Sequence, residues 1–174
     1  MDLEEVKKSV RNIPDYPKPG IHFKDVSTAY RDGVVFNFIT SQIYEKYKEC
    51  GITKVVGIES RGFILGGVLA GSLKAGFVPI RKKGKLPAEV YAQSYNLEYG
   101  FDTLEIHQDA LNSNDVVLIH DDLLATGGTV NAAIALVRKC GVSVIYVNFF
   151  IELDVLVGMN KIDPLVPVWS LIHF

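Results

Sequence analysis

Two adjacent carboxylates, Asp121 and Asp122, stand at the end of an apolar run and are followed, after two leucines, by the turn sequence ATGGT. An apolar strand, a glycine-rich turn and a helix start form an anion cradle, because the first N–H groups of a helix lack intrahelical partners. The glycines let main-chain N–H groups approach a phosphate, and the hydroxyls of Thr126 and Thr129 add donors. The segment therefore predicts a phosphate site at residues 125–129, with two acids beside it.

The two acids are poor neighbours for a bare phosphate, so we expect them to face another part of the ligand. Carboxylates accept hydrogen bonds from hydroxyl groups, which favours a phosphorylated sugar over a nucleoside triphosphate. Asp121 and Asp122 would then also stabilise positive charge that develops on the sugar ring. The alternative, two solvated acids in a surface loop, stays open.

Cations occur at two further places that could bind phosphate groups. Arg61, in the sequence GIESRG, lies between a predicted strand and a predicted helix, where a guanidinium can donate two hydrogen bonds to phosphate oxygens. The second place is a basic run made of Arg81, Lys82, Lys83 and Lys85. It could clamp a second phosphate group, while an exposed salt-bridging arginine and a solvated basic loop are the structural alternatives.

A candidate for proton transfer is Glu98, in the sequence YNLEYG. If this segment folds over the site, shielding by Tyr95 and Tyr99 would raise the pKa of the Glu98 carboxyl into a useful range. That role depends on a lid geometry that the sequence does not specify.

The histidines and cysteines carry little functional signal. The four histidines have no metal-ligand spacing, so no protein metal site is predicted, and His120 is interpreted as a half-buried structural residue. Cys50 and Cys140 lack CxxC spacing and are interpreted as reduced packing residues.

Hydrophobic periodicity predicts the elements that position these residues. Helices are predicted at residues 2–11, from Val35 to Tyr47, at 62–75 and around Val130–Val137, and strands at 54–58, 77–80, 115–119 and 142–151. Nearly continuous apolar strands that alternate with helices indicate a parallel sheet covered on both faces. Ligands bind beyond the carboxyl ends of such strands, where the loops containing Arg61 and Asp121 both emerge.

The predicted organisation is a single α/β domain over residues 1–174. A proline-rich turn follows the first helix. Residues 81–106 are predicted to form an inserted antiparallel hairpin, and long exposed insertions of this kind are often lids. Alternation in this insertion is clearest at Tyr95–Tyr99 and Thr103–Ile106.

Bulk composition limits the partners. The 174 residues carry a net charge of −2 with a pI of about 6.1, so there is no global positive field for nucleic acid or an anionic membrane. No run is apolar and long enough to span a bilayer, and the start MDLEEVKKSV is charged, which predicts a cytoplasmic location.

Several motifs taken together carry a family resemblance. They are VVLIHDDLLATGGT, GIESRGFILG, IPDYPKPGIHFKDVS, RKKGKLP with SYNLEYG, and ELDVLVGMNKI. From about residue 10 onward the chain resembles the adenine-specific members of the phosphoribosyltransferase family. The resemblance implies a type I phosphoribosyltransferase fold: a mostly parallel, twisted sheet flanked by helices, with an inserted hairpin at 81–106 and a short base-binding segment within residues 1–33.

The resemblance also implies an activity. Adenine and 5-phosphoribosyl-1-pyrophosphate (PRPP) would become AMP and pyrophosphate in purine salvage. The enzyme would be a cytoplasmic homodimer, and its Mg²⁺ would be held mainly by PRPP oxygens.

Roles then carry over by position. The 5′-phosphate would be bound by Ala125, Thr126, Gly127, Gly128 and Thr129, the ribose hydroxyls by Asp121 and Asp122, and the pyrophosphate by Arg61, Arg81, Lys82 and Lys85. The base would lie against Phe23, be read by the main chain of His22 and Lys24, and meet an apolar wall of Leu123 and Leu124. Glu98 would handle an adenine proton, with Tyr99 beside it.

Three residues depart from the family pattern. Lys24 stands where arginine is common, and His22 and His120 stand where apolar residues are usual. If residues 22 and 24 recognise the base through their main chain, these side-chain changes should matter little.

Two alternative functions remain open at this point. A hypoxanthine or guanine phosphoribosyltransferase would share the phosphate and ribose machinery and differ in the base pocket. A non-catalytic regulator that senses PRPP and controls nucleic acid would need a basic face or an added helix-turn-helix, for which the sequence offers little room.

Overall fold

The computed structural model describes residues 1–96 and 100–174. Its helices are α1 (Leu3–Ser9), α2 (Ser27–Tyr30), α3 (Gly33–Tyr47), α4 (Gly62–Leu73) and α5 (Gly128–Lys139), with 3-10 turns at Asp154–Leu156 and Gly158–Lys161. Its strands are β1 (Arg11–Ile13), β2 (Phe23–Asp25), β3 (Lys54–Ile58), β4 (Gly76–Lys82), β5 (Val90–Asn96), β6 (Phe101–His107), β7 (Val116–Leu124), β8 (Val144–Glu152) and β9 (Val168–His173).

The main sheet has seven strands in the order β5-β6-β4-β3-β7-β8-β9. The five strands from β4 to β9 run parallel, and β6 and β5 add an antiparallel hairpin at one edge. From β3 the chain crosses to β4 on one side, whereas from β7 it crosses to β8 on the other. The strand order thus reverses between β3 and β7, which is where open α/β sheets bind their ligands.

Apolar residues cover both faces of this sheet. Ile39, Ile43 and Leu65 from α3 and α4 are fully buried on one face, and Ile134 and Val137 from α5 are buried on the other. The predicted α/β fold, with a mostly parallel sheet and an inserted hairpin, is confirmed. Within the described ranges, no helix has both the length and the apolar character needed to cross a bilayer.

Element ends differ from the sequence expectations most clearly at β7 and α1. The strand predicted at 115–119 continues as β7 to Leu124, because Asp121, Leu123 and Leu124 pair with β8. Aspartates are poor strand formers, so composition alone places the strand end too early.

The helix predicted at 2–11 ends at Ser9, since Arg11 pairs with Asp25 in a separate two-stranded sheet of β1 and β2. These two strands are too short to show a period, and β9 is a further strand that periodicity did not predict.

Candidate active site

A cleft of about 490 Å³ opens at the carboxyl ends of β3 and β7. Its lining residues are Glu59, Ser60, Arg61, Lys82, Tyr95, Asp121, Asp122, Leu123 and Thr129. Six of them are predicted site residues: Arg61, Lys82, Asp121, Asp122, Leu123 and Thr129. The loop after β3, the end of β4, the hairpin and the end of β7 therefore converge on one space.

The turn at residues 125–129 forms a second, smaller cavity of about 70 Å³ beside this cleft. Gly127 caps α5 with a φ of +83°, a left-handed conformation that glycine adopts without strain. A Cβ at Gly127 would lie 2.8 Å from the carbonyl oxygen of Gly158, so Gly158 packs closely against this turn. Helix α5 has 12 residues and starts beside this cavity, which Gly128, Thr129 and Val130 help to line, and the first N–H groups of a helix have no intrahelical acceptor.

Two acids stand at the end of β7 on the cleft side. Asp122 is 3% exposed, and its Oδ2 lies 2.6 Å from Nε of Arg61 as an ion pair. Oδ1 of Asp121 accepts a hydrogen bond from the Asp122 main-chain N–H at 2.9 Å. Burial and the neighbouring Asp122 charge raise the pKa of Asp121 well above its usual value. Burial also raises the pKa of Asp122, although the charge of Arg61 opposes this.

Arg61 also reaches the N-terminal segment. Its guanidinium lies 5.5 Å from the centroid of the Phe23 ring, within range of a cation–π contact. The same ring meets Tyr16 edge to face, with centroids 5.3 Å apart. Phe23 therefore lies next to Arg61, which in turn pairs with Asp122.

Glu59 contacts the basic residues at and just after the end of β4. Its Oε1 lies 2.7 Å from Nζ of Lys85, and its Oε2 lies 3.3 Å from Nε of Arg81 and accepts from the Lys82 N–H at 3.0 Å. Burial raises the pKa of Glu59, but these hydrogen bonds outweigh it and lower the pKa to about 2. Sequence reasoning assigned Glu59 no role, and its only signal was its place next to Arg61 in GIESRG.

The hairpin contributes the partner of Lys82 and packs against the turn at residues 125–129. Nζ of Lys82 lies 3.0 Å from Oδ2 of Asp102. Tyr95 lies close enough to the turn that a Cβ at Gly128 would be 3.4 Å from its ring. Glu98 and Tyr99, the predicted proton-transfer residue and its neighbour, lie outside the described residues.

His120 is fully buried, not half-buried as the sequence suggested. Its Nδ1 lies 2.8 Å from Oδ1 of Asn148, whose amide donates at 3.0 Å to the Trp169 carbonyl oxygen. The asparagine is thereby oriented with its oxygen towards the histidine, which makes Nδ1 the protonated nitrogen. Burial lowers the pKa of His120 to about 4, although the Asn148 bond opposes this, so the ring is neutral at pH 7.

Other predicted residues lie around the cleft without lining it. Arg81 and Lys85 pair with Glu59, and Leu124 is almost fully buried beside the turn at residues 125–129. His22 and Lys24 line a separate, mostly apolar cleft of about 450 Å³ together with Phe174.

One group of potential metal ligands occurs among residues 1–96 and 100–174. Glu152, Asp154 and His173 have ligand atoms within 4.8 Å of one another, although the sequence showed no metal-ligand spacing. Nδ1 of His173 lies 2.9 Å from Asp154, and Ser170 donates to Glu152 at 2.7 Å. These bonds account for the arrangement, and none of the three residues lines the cleft at β3 and β7.

Comparisons with known proteins agree with this geometry. The model of the phosphoribosyl transferase domain family matches residues 33–155. An adenine phosphoribosyltransferase of Bacteroides fragilis is 59% identical over 163 residues, which cover 94% of this chain and 92% of the relative.

Two solved structures extend this agreement to the whole fold. An adenine phosphoribosyltransferase from Rhodothermus marinus is 50% identical with a TM-score of 0.93, covering 99% of this chain and 98% of that one. An APRTase from Giardia lamblia complexed with 9-deazaadenine is 41% identical with a TM-score of 0.93, covering 100% and 98%. The chain belongs to the phosphoribosyltransferase family and, within it, to the adenine phosphoribosyltransferases.

Proposed function

We propose that the chain transfers the 5-phosphoribosyl group of PRPP to adenine, giving AMP and pyrophosphate for purine salvage. The observation that carries this proposal is the convergence of a main-chain phosphate turn, two adjacent acids and Arg61 on one cleft. The relatives' names and the 9-deazaadenine complex of the G. lamblia relative support adenine as the base.

The phosphate turn would bind the 5′-phosphate. The N–H groups at the start of α5 and the Thr126 and Thr129 hydroxyls supply donors, and the helix dipole favours the negative charge. Asp121 and Asp122 lie on β7 just before this turn, with only Leu123 and Leu124 between, so a ribose attached to that phosphate would extend over them. There the acids accept hydrogen bonds from the ribose hydroxyls.

Pyrophosphate would occupy the opposite side of the cleft, near Arg61 and Lys82. Arg81 and Lys85 would join it with N–H groups that Glu59 leaves unused, while Glu59 keeps both cations in place. Arg61, by contrast, would move from Asp122 to the pyrophosphate, which frees that carboxylate for the sugar.

The base would lie against Phe23 and be read by the main chain of His22 and Lys24. Phe23 is the member of β2 that approaches Arg61, whereas its two neighbours project to the second cleft. Leu123 lines the main cleft and would supply an apolar wall, continued by Leu124 at the turn.

In the reaction, a ring nitrogen of adenine forms a bond to C1′ of PRPP as the bond from C1′ to the pyrophosphate oxygen breaks. Positive charge develops on the ribose, and the two nearby acids stabilise it. The proton leaves the attacking nitrogen, and Glu98 is the residue that we propose to accept it.

Mg²⁺ would bind with PRPP. The cleft presents Asp121 and Asp122 as hard oxygen donors, the ligand type that Mg²⁺ prefers, but Asp122 is already paired with Arg61. We therefore propose that ligand oxygens hold most of the metal's coordination sphere. When bound, the metal neutralises charge on the leaving pyrophosphate.

We further propose a cytoplasmic homodimer with no nucleic-acid partner. The net charge of −2 provides no general attraction for a polyanion. Sedimentation equilibrium tests the dimer, and a monomer at micromolar concentration would reject it.

Base competition tests the function. The protein is incubated with PRPP, Mg²⁺ and each of adenine, hypoxanthine and guanine, and nucleotide formation is followed by chromatography. We expect AMP, with a kcat/KM for adenine at least about 100-fold above that for the other bases, because a site that hydrogen-bonds one base leaves polar groups unpaired with another. A larger kcat/KM for hypoxanthine, or duplex binding without nucleotide formation, would overturn the proposal.

A further inference from the structure

The side chains on either side of Phe23 are linked by one asparagine. Asn12 on β1 pairs with Lys24 on β2, and antiparallel partners project their side chains to the same face. Oδ1 of Asn12 accepts from Nζ of Lys24 at 3.1 Å, and its Nδ2 lies 3.2 Å from Nδ1 of His22. One amide thus bridges the two residues whose main chain would read the base.

The orientation of this amide is determined by its partners. Lys24 can only donate, so the amide oxygen must face it and the amide nitrogen must face His22. Nδ1 of His22 is then the acceptor, and the ring proton resides on Nε2. Asn12 therefore specifies both a lysine position and a histidine tautomer.

Phe174 connects the two-stranded sheet of β1 and β2 to the main sheet. Nζ of Lys24 lies 4.1 Å from the centroid of the Phe174 ring, and Nζ of Lys7 lies 5.0 Å from it. The main chain of Phe174 is fixed by its N–H bond to the Glu152 oxygen and by the Asp154 N–H bond to its own oxygen, both 2.9 Å. Lys24 is therefore held between a residue of β1 and a residue anchored on β8.

We propose that Asn12 and Phe174 are positioning residues for base recognition. Together they hold the main chain of residues 22–24 in the geometry that reads adenine, which rests on the proposed function. The two unusual residues, His22 and Lys24, are accommodated because Asn12 connects them. Neither Asn12 nor Phe174 lines the cleft at β3 and β7, so their effect is confined to the base.

The test is a set of three variants. Asn12→Ala removes both amide bonds, Phe174→Leu removes the ring contact, and Asn37→Ala is the matched control. Asn37 is an exposed asparagine whose amide donates to Gly33 on α3, away from β2. Steady-state kinetics separate the KM for adenine from the KM for PRPP.

For Asn12→Ala and Phe174→Leu we expect a three- to tenfold higher KM for adenine, about the scale of one lost hydrogen bond or cation–π contact. The KM for PRPP and kcat should stay within about twofold of the parent, and Asn37→Ala should change none of the three. Equal changes in both KM values, or an unchanged KM for adenine, would overturn the proposal.

Hydrogen exchange provides a readout that does not depend on turnover. The main-chain amides of residues 21–25 should exchange faster in Asn12→Ala than in Asn37→Ala, because the strand loses its side-chain tether. Unchanged exchange there rejects the positioning role even in an active enzyme. Failure of the parent protein to form AMP would instead reject the proposed function, so the two failures are distinguishable.

Discussion

The turn at residues 125–129 and the basic segment at residues 81–85 both serve the cleft, but the first presents main-chain groups and the second charged side chains. The turn is fixed by Gly127, by the start of α5 and by the close approach of Gly158. The basic segment depends on Glu59, which neutralises Arg81 and Lys85. A main-chain site is complete once the chain folds, whereas a cluster of cations needs counterions to remain in place.

The largest effect is expected at the Arg61–Asp122 pair, which lies in the cleft that both regions border. Asp122→Asn keeps the side chain's shape but removes the charge that stabilises the ribose, and kcat/KM should fall by about 10²–10³. Steady-state kinetics with adenine and PRPP measure this. Asp163→Asn is the matched control, because Asp163 pairs with Arg138 at 2.7 Å outside the cleft. Turnover within threefold of the parent in Asp122→Asn would contradict the assigned role.

An intermediate effect is expected in the main-chain region. Gly127→Ala places a Cβ at a φ of +83° and 2.8 Å from the Gly158 oxygen, so the turn must distort. Strain of about 1–3 kcal/mol predicts a roughly 5- to 160-fold higher KM for PRPP. Gly33→Ala, where a Cβ meets nothing within 4 Å, is the control. If both variants bind PRPP equally well, the turn is not the phosphate site.

The smallest effect is expected in the side-chain region. Glu59→Gln can still accept from the Lys82 N–H but cannot neutralise Arg81 and Lys85, so the KM for PRPP should rise about three- to tenfold. The KM for adenine should not change. Asp102→Asn, which removes the charged partner of one cation, Lys82, should have a weaker effect. An equal response of both KM values to Glu59→Gln would show that Glu59 does not act through the pyrophosphate cations.

The same contrast explains what the sequence could predict. The turn at residues 125–129 is contiguous in the chain, so its glycines and the helix start that follows could be predicted from the sequence. Glu59 was not assigned, because its contacts with Arg81 and Lys85 arise only when β3 and β4 lie side by side. Recognition of the family supplied Phe23, which no local pattern would have joined to Arg61.

Buried polar pairs are the other feature that could not be predicted from the sequence. His120 and Asn148 are register partners on β7 and β8, but they are 28 positions apart in the chain. Their mutual hydrogen bond lets a histidine occupy a fully buried position, which its sequence neighbours alone do not indicate.

The short segment at residues 153–161 spans both ends of the proposed nucleotide site. Leu153, Val155 and Leu156 line the second cleft together with His22 and Lys24, and Gly158 packs against the turn at residues 125–129. Asn131 of α5 holds its far end through the Lys161 oxygen at 2.9 Å. In the proposed complex this stretch would act as a spacer of defined length between the base and the 5′-phosphate, because it contacts the cleft beside His22 and Lys24 as well as the turn at residues 125–129.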